Sequence, residues 1–463
     1  MDAQARQYLK TLVPEGAFLD NPEALVMYSY DSQTVESRPD AVLLPESTAQ
    51  VSAIVTYCNE RSLPVTTRGA GSGTTGGSVP LAGGVVMSLQ RMNRILDIDI
   101  ENFLAEVEPG VITANLHKEV EAKGLFYPPD PASMAFSTLG GNIAENAAGM
   151  RAVKYGCTAA YVMGLEVVLA DGSIIRTGSK CIKDVVGFSV APLFIGSEGM
   201  LGVITRAWLR LLPLPPVKKT ARVAFDTLDT AARAVNAVLR SGVTPSTLEF
   251  MDNVTLNTVE AYLNMGLPVQ AGGMLIIEVD GTAAQVEEDM QRVIAVCEEL
   301  TPIECIVAEN AEEQLLLWKA RRSIPPSLYR VRPNRFNEDI VVPRSNIPAM
   351  VTKIQEIGKK YDLVVVSFGH AGDGNIHVNV LFDDEERERA HQAVVDIFHE
   401  TVKLEGRITG EHGVGLTKKA FFHLNIDAPT MRLMREHKKL LDPKGILNPG
   451  KMFPEEGMNN DGH

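Results

Sequence analysis

Arg68-Gly69-Ala70-Gly71-Ser72-Gly73-Thr74-Thr75-Gly76-Gly77 follows a short predicted strand at Pro64 to Thr67, and the reading of this run decides the fold. Gly71, Gly73 and Gly76 satisfy the Gly-x-Gly-x-x-Gly spacing of a dinucleotide-binding turn, and Asp97 lies about where its ribose-binding acid falls. That turn works only if a helix begins inside it, so that the helix dipole and free N–H groups face a pyrophosphate. Here Ser78-Val79-Pro80-Leu81 leads directly into a second strand, Gly84 to Leu89, and no crossover helix has room to form. What the loop keeps is a series of backbone N–H groups that can converge on phosphate as an anion nest. The plainer alternative, a flexible linker, sits poorly with apolar strands pressed against both ends.

Two further stretches share the loop's character. The first runs Tyr127-Pro128-Pro129-Asp130-Pro131-Ala132-Ser133 and then Ser137-Thr138-Leu139-Gly140-Gly141-Asn142-Ile143-Ala144-Glu145-Asn146-Ala147-Ala148-Gly149. The second is Phe194-Ile195-Gly196-Ser197-Glu198-Gly199-Met200-Leu201-Gly202-Val203-Ile204-Thr205. Small residues, hydroxyls and amides dominate both, the composition expected where main chain packs against a large flat ligand.

A different chemistry gathers in Phe368-Gly369-His370-Ala371-Gly372-Asp373-Gly374-Asn375-Ile376-His377 and Gly410-Glu411-His412-Gly413. A predicted strand, Leu363 to Phe368, enters a glycine and aspartate turn, and a second, Asn375 to Phe382, leaves it, so the hairpin returns His370 beside His377. Two neutral imidazoles and the Glu411 carboxylate form a recurrent divalent-metal set that leaves coordination positions open. His412 then stands at the metal's edge. Alternation along the second strand puts Asn375, His377 and Asn379 on one face, which makes Asn379 a candidate substrate contact. For a single histidine, an incidental place in a glycine hairpin is the better reading. The cluster reverses that judgement.

The chain has 463 residues, 45% of them hydrophobic, enough for two or three cores. A formal charge of −14 opposes binding to nucleic acid. Met1 to Arg6 lacks the apolar core of a signal peptide, and no uncharged apolar run approaches membrane-spanning length, which points to the cytoplasm and to no transmembrane segment. Five cysteines without Cys-x-x-Cys spacing indicate neither an iron–sulfur cluster nor a disulfide framework.

The glycine loop, the Thr-Leu-Gly-Gly-Asn-Ile-Ala run, the Gly-Ser-Glu-Gly-x-Leu-Gly run and the two histidine motifs occur here in the order found in the FAD-dependent 2-hydroxyacid dehydrogenases of the vanillyl-alcohol oxidase superfamily, which the chain resembles over essentially its whole length. The resemblance is strongest to the branch containing glycolate oxidase catalytic subunits and bacterial D-lactate dehydrogenases, with D-2-hydroxyglutarate dehydrogenases close by. It ends at Leu441-Asp442-Pro443-Lys444-Gly445-Ile446-Leu447-Asn448-Pro449-Gly450-Lys451. Met200 stands where the family usually has Thr, Phe188 where Tyr is common, and Ala148 where a second glycine is common. None of these removes a phosphate-facing glycine or a metal ligand.

The resemblance implies an α+β fold with a two-part FAD-binding domain and a ferredoxin-like antiparallel-sheet cap. The pattern of elements agrees. Residues 1–215 are expected to form the FAD-binding domain, with helices at Thr48 to Arg61 and Thr113 to Lys123. A proline-marked junction follows, and residues 216–416 form the substrate or cap domain. There strand, helix, strand, strand, helix, strand is read once from Ala221 to Ala308 and again from Ile340 to Thr409, with helices on one side of the sheet. Residues 417–463 are expected to return to the FAD-binding domain.

Carried over position by position, the resemblance implies FAD contacts at Arg68, Gly69, Ala70, Gly71, Ser72, Gly73, Thr74, Gly76, Pro109, Pro129, Asp130, Ser133, Thr138, Gly140, Gly141, Asn142, Ala144, Asn146, Gly199, Val203, Ile204 and Asn448. No His or Cys lies between Arg68 and Gly77, so the flavin is expected to be noncovalent. Arg321 matches the carboxylate-binding arginine, with neighbouring Arg322 as its rival, and a guanidinium can grip a carboxylate bidentately. A divalent metal (Zn, Fe or Mn) at His370, His377 and Glu411 is expected to hold the hydroxyl of a small 2-hydroxy acid, with His412 as base and flavin N5 as hydride acceptor. Electrons then leave to a separate protein, a quinone or a dye. The family implies an iron–sulfur subunit or an electron-transferring flavoprotein, through which the protein could also sit at the membrane periphery. Two other classes compete. A metal-dependent hydrolase leaves the glycine loop without a task, and a non-catalytic flavin electron-transfer subunit has no use for the histidines.

Overall fold

The computed structural model describes residues 1–32 and 35–455, which divide into two compact units. The first comprises Met1–Gly149, Gly156–Leu214 and Glu411–His463, and the second Met150–Tyr155 and Pro215–Gly410.

The first unit has two main sheets. In a four-stranded sheet, Ala41–Leu43, Val85–Ser88 and Val65–Arg68 lie parallel and Phe18–Leu19 pairs antiparallel at the edge. Parallel neighbours require a crossover, usually a helix. Between Val65–Arg68 and Val85–Ser88 the glycine loop itself makes that crossover, with no helix. Its N–H groups are therefore not consumed by helical bonding. Leu447 adds a parallel bridge to Val65 at this sheet's edge. The second sheet is antiparallel, in the order Ile95–Asp99, Leu104–Val107, Val203–Arg210, Val162–Val168, Ile174–Gly178. Helix Thr48–Glu60, begun by Ser47 Oγ accepting from Gln50 N, buries Val51, Ile54, Val55 and Cys58 in the core over the parallel strands.

The second unit is a seven-stranded antiparallel sheet in the order Glu304–Val307, Val217–Phe225, Gly273–Gly281, Thr247–Asp252, Val364–Gly369, Asn375–Phe382, Asn334–Val341. Its first half has the ferredoxin-like order 4-1-3-2. The second half repeats it in reverse, joined where Phe250 pairs with Gly369 and Met251 with Phe368. The fourth strand expected at Arg407 to Thr409 is reduced to bridges at Val341–Arg407 and Asp339–Thr409.

Helices Leu228–Arg240, Ala283–Glu298, Ile347–Tyr361 and Arg387–Lys403 pack on one face, as the repeat requires. The other face is not bare, contrary to the expectation of helices on one side only. Asn253–Leu263, inserted between the second and third strands, and Ala311–Arg322 with Ile324–Leu328, linking the repeats, cover it through Met251, Met274, Ile276, Trp318, Val366 and Phe368. A further difference concerns the strand expected at Ile340 to Val342, which runs from Asn334 to Val341. Its polar residues Asn337 and Asp339 mask the apolar pattern because they lie opposite Asn379 and His377, on the face that carries the candidate chemistry.

Candidate functional site

In the first unit, the three glycine-rich stretches meet. A Cβ on Gly69 would lie 2.2 Å from Thr138 Oγ1 and one on Gly140 2.5 Å from Pro109 Cβ, so only glycine allows these backbones to touch. Gly140 N donates to Pro109 O at 2.8 Å, and Glu198 N to Ala144 O at 2.9 Å. Together they wall a cavity lined by Gly69, Ala70, Gly71, Ser72, Gly73, Thr74, Pro109, Ser133, Thr138, Gly140, Gly141, Asn142, Ala144, Gly199 and Ile204, all expected FAD contacts. Gly77, Ser78, Glu145, Glu198, Glu411 and His412 line it as well.

The remaining expected contacts stand behind that wall. The buried guanidinium of Arg68 donates to Tyr30 O at 2.7 Å and Ser78 Oγ at 3.3 Å, bracing the loop at Gly71. Gly76 packs on Leu416. Pro129 O takes His117 Nε2 at 2.9 Å, and Asp130 backs Gly149. Asn146 caps its helix in the left-handed conformation, with Oδ1 accepting from Ala159 N, while Val203 is core. Asn448 Nδ2 donates to Gly77 O at 2.9 Å and Glu198 O at 2.7 Å.

This cavity fits FAD. Gly73 lines it, and a Cβ there meets nothing nearer than Asp31 Oδ2 at 4.0 Å; on Gly199 the nearest atom is Thr67 Cβ at 3.9 Å. These positions are tight on no protein atom, so the space they guard is available to a ligand. Gly73→Leu is therefore expected to fold yet carry distinctly less flavin; an unchanged flavin-to-protein ratio in the absorbance spectrum would place the cofactor elsewhere.

Two carboxylates that sequence reasoning missed, Glu145 and Glu198, line the cavity. Burial raises Glu145 well above the ordinary carboxylate range, and Glu198 and Asp31 push the same way. Burial also raises Glu198, against the pull of Val414 N, Gly415 N, Lys451 and Lys418. Glu198 accepts from Val414 N and Gly415 N, each at 2.8 Å, anchoring the loop that bears His412. Lys451, fully buried, donates to Gly76 O at 2.9 Å and Val79 O, tying the closing segment to the glycine loop.

The second unit holds the other cluster. The hairpin brings His370 Nε2 within 3.4 Å of His377 Nε2, ring centroids 5.0 Å apart. Arg321 is buried over the Phe368 ring at 4.8 Å, whereas Arg322 is exposed. Asn379 is fully buried, and neither of its amide atoms finds a protein partner among the described residues. Such an orphaned amide costs about 1–3 kcal/mol unless a ligand or water satisfies it. Glu249, absent from the sequence reading, joins the cluster: Oε2 accepts from Arg321 Nε at 2.6 Å and Oε1 meets His370 Nδ1 at 2.5 Å. Its only signal in the sequence is an acid inside the apolar run Leu248-Glu249-Phe250-Met251.

The donor set also fits a divalent metal, with two imidazole nitrogens converging. Asp339, buried beside His377 in the sheet, accepts from Thr409 Oγ1 at 3.0 Å and from Gly410 N at 2.8 Å through its carbonyl, fixing the chain just before Glu411.

Residues 214–452 match the model for FAD linked oxidases, C-terminal domain, and residues 39–178 match an FAD binding domain. The chain is 45% identical to "Glycolate oxidase subunit GlcD" of Bacillus subtilis (strain 168), over 97% of this chain and 96% of that protein. It is 36% identical to the protein of the same name from Escherichia coli (strain K12), over 96% and 90%. With "D-lactate dehydrogenase" of Anaerostipes hadrus the identity is 35%, over 92% of each. The fold is shared with p-cresol methylhydroxylase with substrate bound (TM-score 0.82, 22% identity, 97% of this chain and 96% of that one). It is shared also with 4-ethylphenol oxidase from Gulosibacter chungangensis (TM-score 0.79, 20% identity, 98% and 97%). A glycine-loop cavity suited to FAD, the matching domains and relatives spanning nearly the whole chain lead to one conclusion: the chain belongs to the FAD-linked oxidases of the vanillyl-alcohol oxidase type and is an FAD-dependent oxidoreductase.

Proposed function

We propose that the protein oxidises a small D-2-hydroxy acid, D-lactate or glycolate, to the 2-oxo acid. The observation that carries this reading is the cluster of Arg321, from the helix Ala311–Arg322, with His370, His377 and the unsatisfied amide of Asn379, at one face of the second unit's sheet. A substrate with one carboxylate and one hydroxyl uses each of them. Arg321 grips the carboxylate, with Nε committed to Glu249 and the terminal nitrogens left as a fork. Asn379 offers a donor and an acceptor, the pair a hydroxyl needs. His412 takes the hydroxyl proton. FAD, held noncovalently, supplies the hydride acceptor. A divalent metal (Zn, Fe or Mn) held by His370, His377 and Glu411 would supply Lewis acidity toward oxygen.

Two relatives are named as subunits, which supports an electron acceptor that is a separate protein, an iron–sulfur subunit or an electron-transferring flavoprotein. No helix among the described residues is long and apolar enough to cross a membrane. We place the protein in the cytoplasm or, through its partner, at the membrane surface. D-2-hydroxyglutarate remains the second substrate reading, because only the lining beyond the shared carboxylate and hydroxyl separates it from lactate.

The test is anaerobic bleaching of the purified protein by a panel of D- and L-2-hydroxy acids. D-lactate or glycolate should reduce the flavin and L-lactate should not. A protein bleached by none of them, or best by D-2-hydroxyglutarate, refutes the assignment. Acid precipitation of the same sample should release the yellow colour to the supernatant; colour on the pellet would mean a covalent flavin.

A further inference from the structure

Glu249 lies within the Thr247–Asp252 strand with no exposure, and its two oxygens serve two different side chains. An acid this deep is costly unless both oxygens are engaged. A carboxylate only accepts, so His370 Nδ1 donates to Glu249 Oε1, and Nε2 is the ring nitrogen turned toward His377. A carboxylate behind a ligating imidazole fixes both its tautomer and its orientation. Here the same carboxylate also holds the edge of a guanidinium whose face lies over Phe368.

We propose that Glu249 is a positioning residue that sets the substrate clamp and a metal-facing imidazole in one geometry, coupling carboxylate binding to metal retention through a single side chain. This rests on the roles assigned above to Arg321 and His370. The coupling has a physical basis in the count of acceptors. A carboxylate offers two equivalent oxygens, one for each partner, whereas a carboxamide offers one oxygen and an NH2 group that cannot accept. Glu249→Gln therefore keeps the volume, but with its oxygen on Arg321 its NH2 can meet His370 Nδ1 only as a donor, which moves the ring proton to Nε2, the nitrogen that faces His377. Glu249→Asp keeps the charge and both oxygens on a shorter arm.

The experiment uses the FAD-loaded protein and its E249Q and E249D variants. Bound metal is measured by elemental analysis after dialysis against graded zinc or manganese buffers. KM and kcat are measured with D-lactate and glycolate, and the flavin-to-protein ratio and Tm are recorded alongside. For E249Q we expect flavin content unchanged, metal affinity lowered by roughly ten- to hundred-fold, and KM raised at least tenfold even at saturating metal. E249D should recover part of the metal affinity. A merely structural role would lower Tm without this paired loss.

E249Q that retains metal as tightly as the unmodified protein, with KM within twofold, overturns the proposal. Should E249Q not fold, Arg321→Gln reads the same coupling from the other side: metal affinity should change severalfold although Arg321 is no ligand, and an unchanged affinity overturns it. The underlying assignment fails differently. If the unmodified protein binds no metal that His377→Ala removes, the metal site itself is wrong, and the coupling falls with it.

Discussion

Replacing His412 with alanine is expected to slow anaerobic flavin reduction by roughly a hundred-fold or more, the usual cost of a lost general base, while FAD and metal stay bound. The backbone around His412 is held by main-chain and glycine contacts. Thr75 Oγ1 donates to His412 O at 3.4 Å, and Glu198 holds Val414 N and Gly415 N. Gly413 lies at φ +84°, where a Cβ would meet Glu145 Oε2 at 2.4 Å, so the turn is set by glycine rather than by the imidazole. The cavity wall should therefore survive the substitution. His377→Ala should behave differently, losing metal and flavin reduction together, and a chelator should reproduce that loss in the unmodified protein. Elemental analysis beside stopped-flow reduction separates the two. If His412→Ala loses its metal, or fully active protein contains none, the division of roles proposed here is wrong.

Much of the fold was legible because its signals are local. The absence of a helix after Gly77 ruled out the dinucleotide-binding reading, and the alternation of strands and helices after Pro215 revealed two ferredoxin-like units. What local pattern could not show is how the units join, since the pairing of Thr247–Asp252 with Val364–Gly369 links residues far apart in the chain. The strand Asn334–Val341 was read too short for a related reason. Hydrophobic periodicity detects strands whose faces are apolar, and this one turns Asn337 and Asp339 toward His377 and Asn379.

The candidate site divides along the same line. Glycines and histidines announce themselves by spacing, so the loop, the hairpin and the residues around His412 were read directly. Glu249, Asp339, Glu145 and Glu198 were not, because a single acid in an apolar or small-residue run has no motif of its own. Each gains meaning only from partners brought by the fold: Arg321 and His370 for Glu249, Gly410 for Asp339, and Val414 with Gly415 for Glu198. Expected contacts such as Arg68 and Asn448 brace the glycine-loop cavity from behind, a distinction that the order of motifs cannot make.

Arg321→Lys is expected to raise KM by roughly ten- to hundred-fold with flavin content intact, the scale of one or two charged hydrogen bonds. Lysine keeps the positive charge, and its ammonium can still pair with Glu249, so the buried carboxylate is not left uncompensated. What it loses is the planar fork: one nitrogen cannot satisfy Glu249 and also grip a substrate carboxylate at two oxygens. The stack on Phe368 is lost with the guanidinium plane. Arg322→Lys supplies the control, because Arg322 is exposed on the neighbouring helical position and should leave KM near its starting value. A strong KM increase in Arg322→Lys with none in Arg321→Lys would move the clamp to the exposed neighbour. It would also leave the buried Glu249–Arg321 pair as a purely structural contact, so steady-state kinetics on these two variants tests both the clamp and the carboxylate behind it.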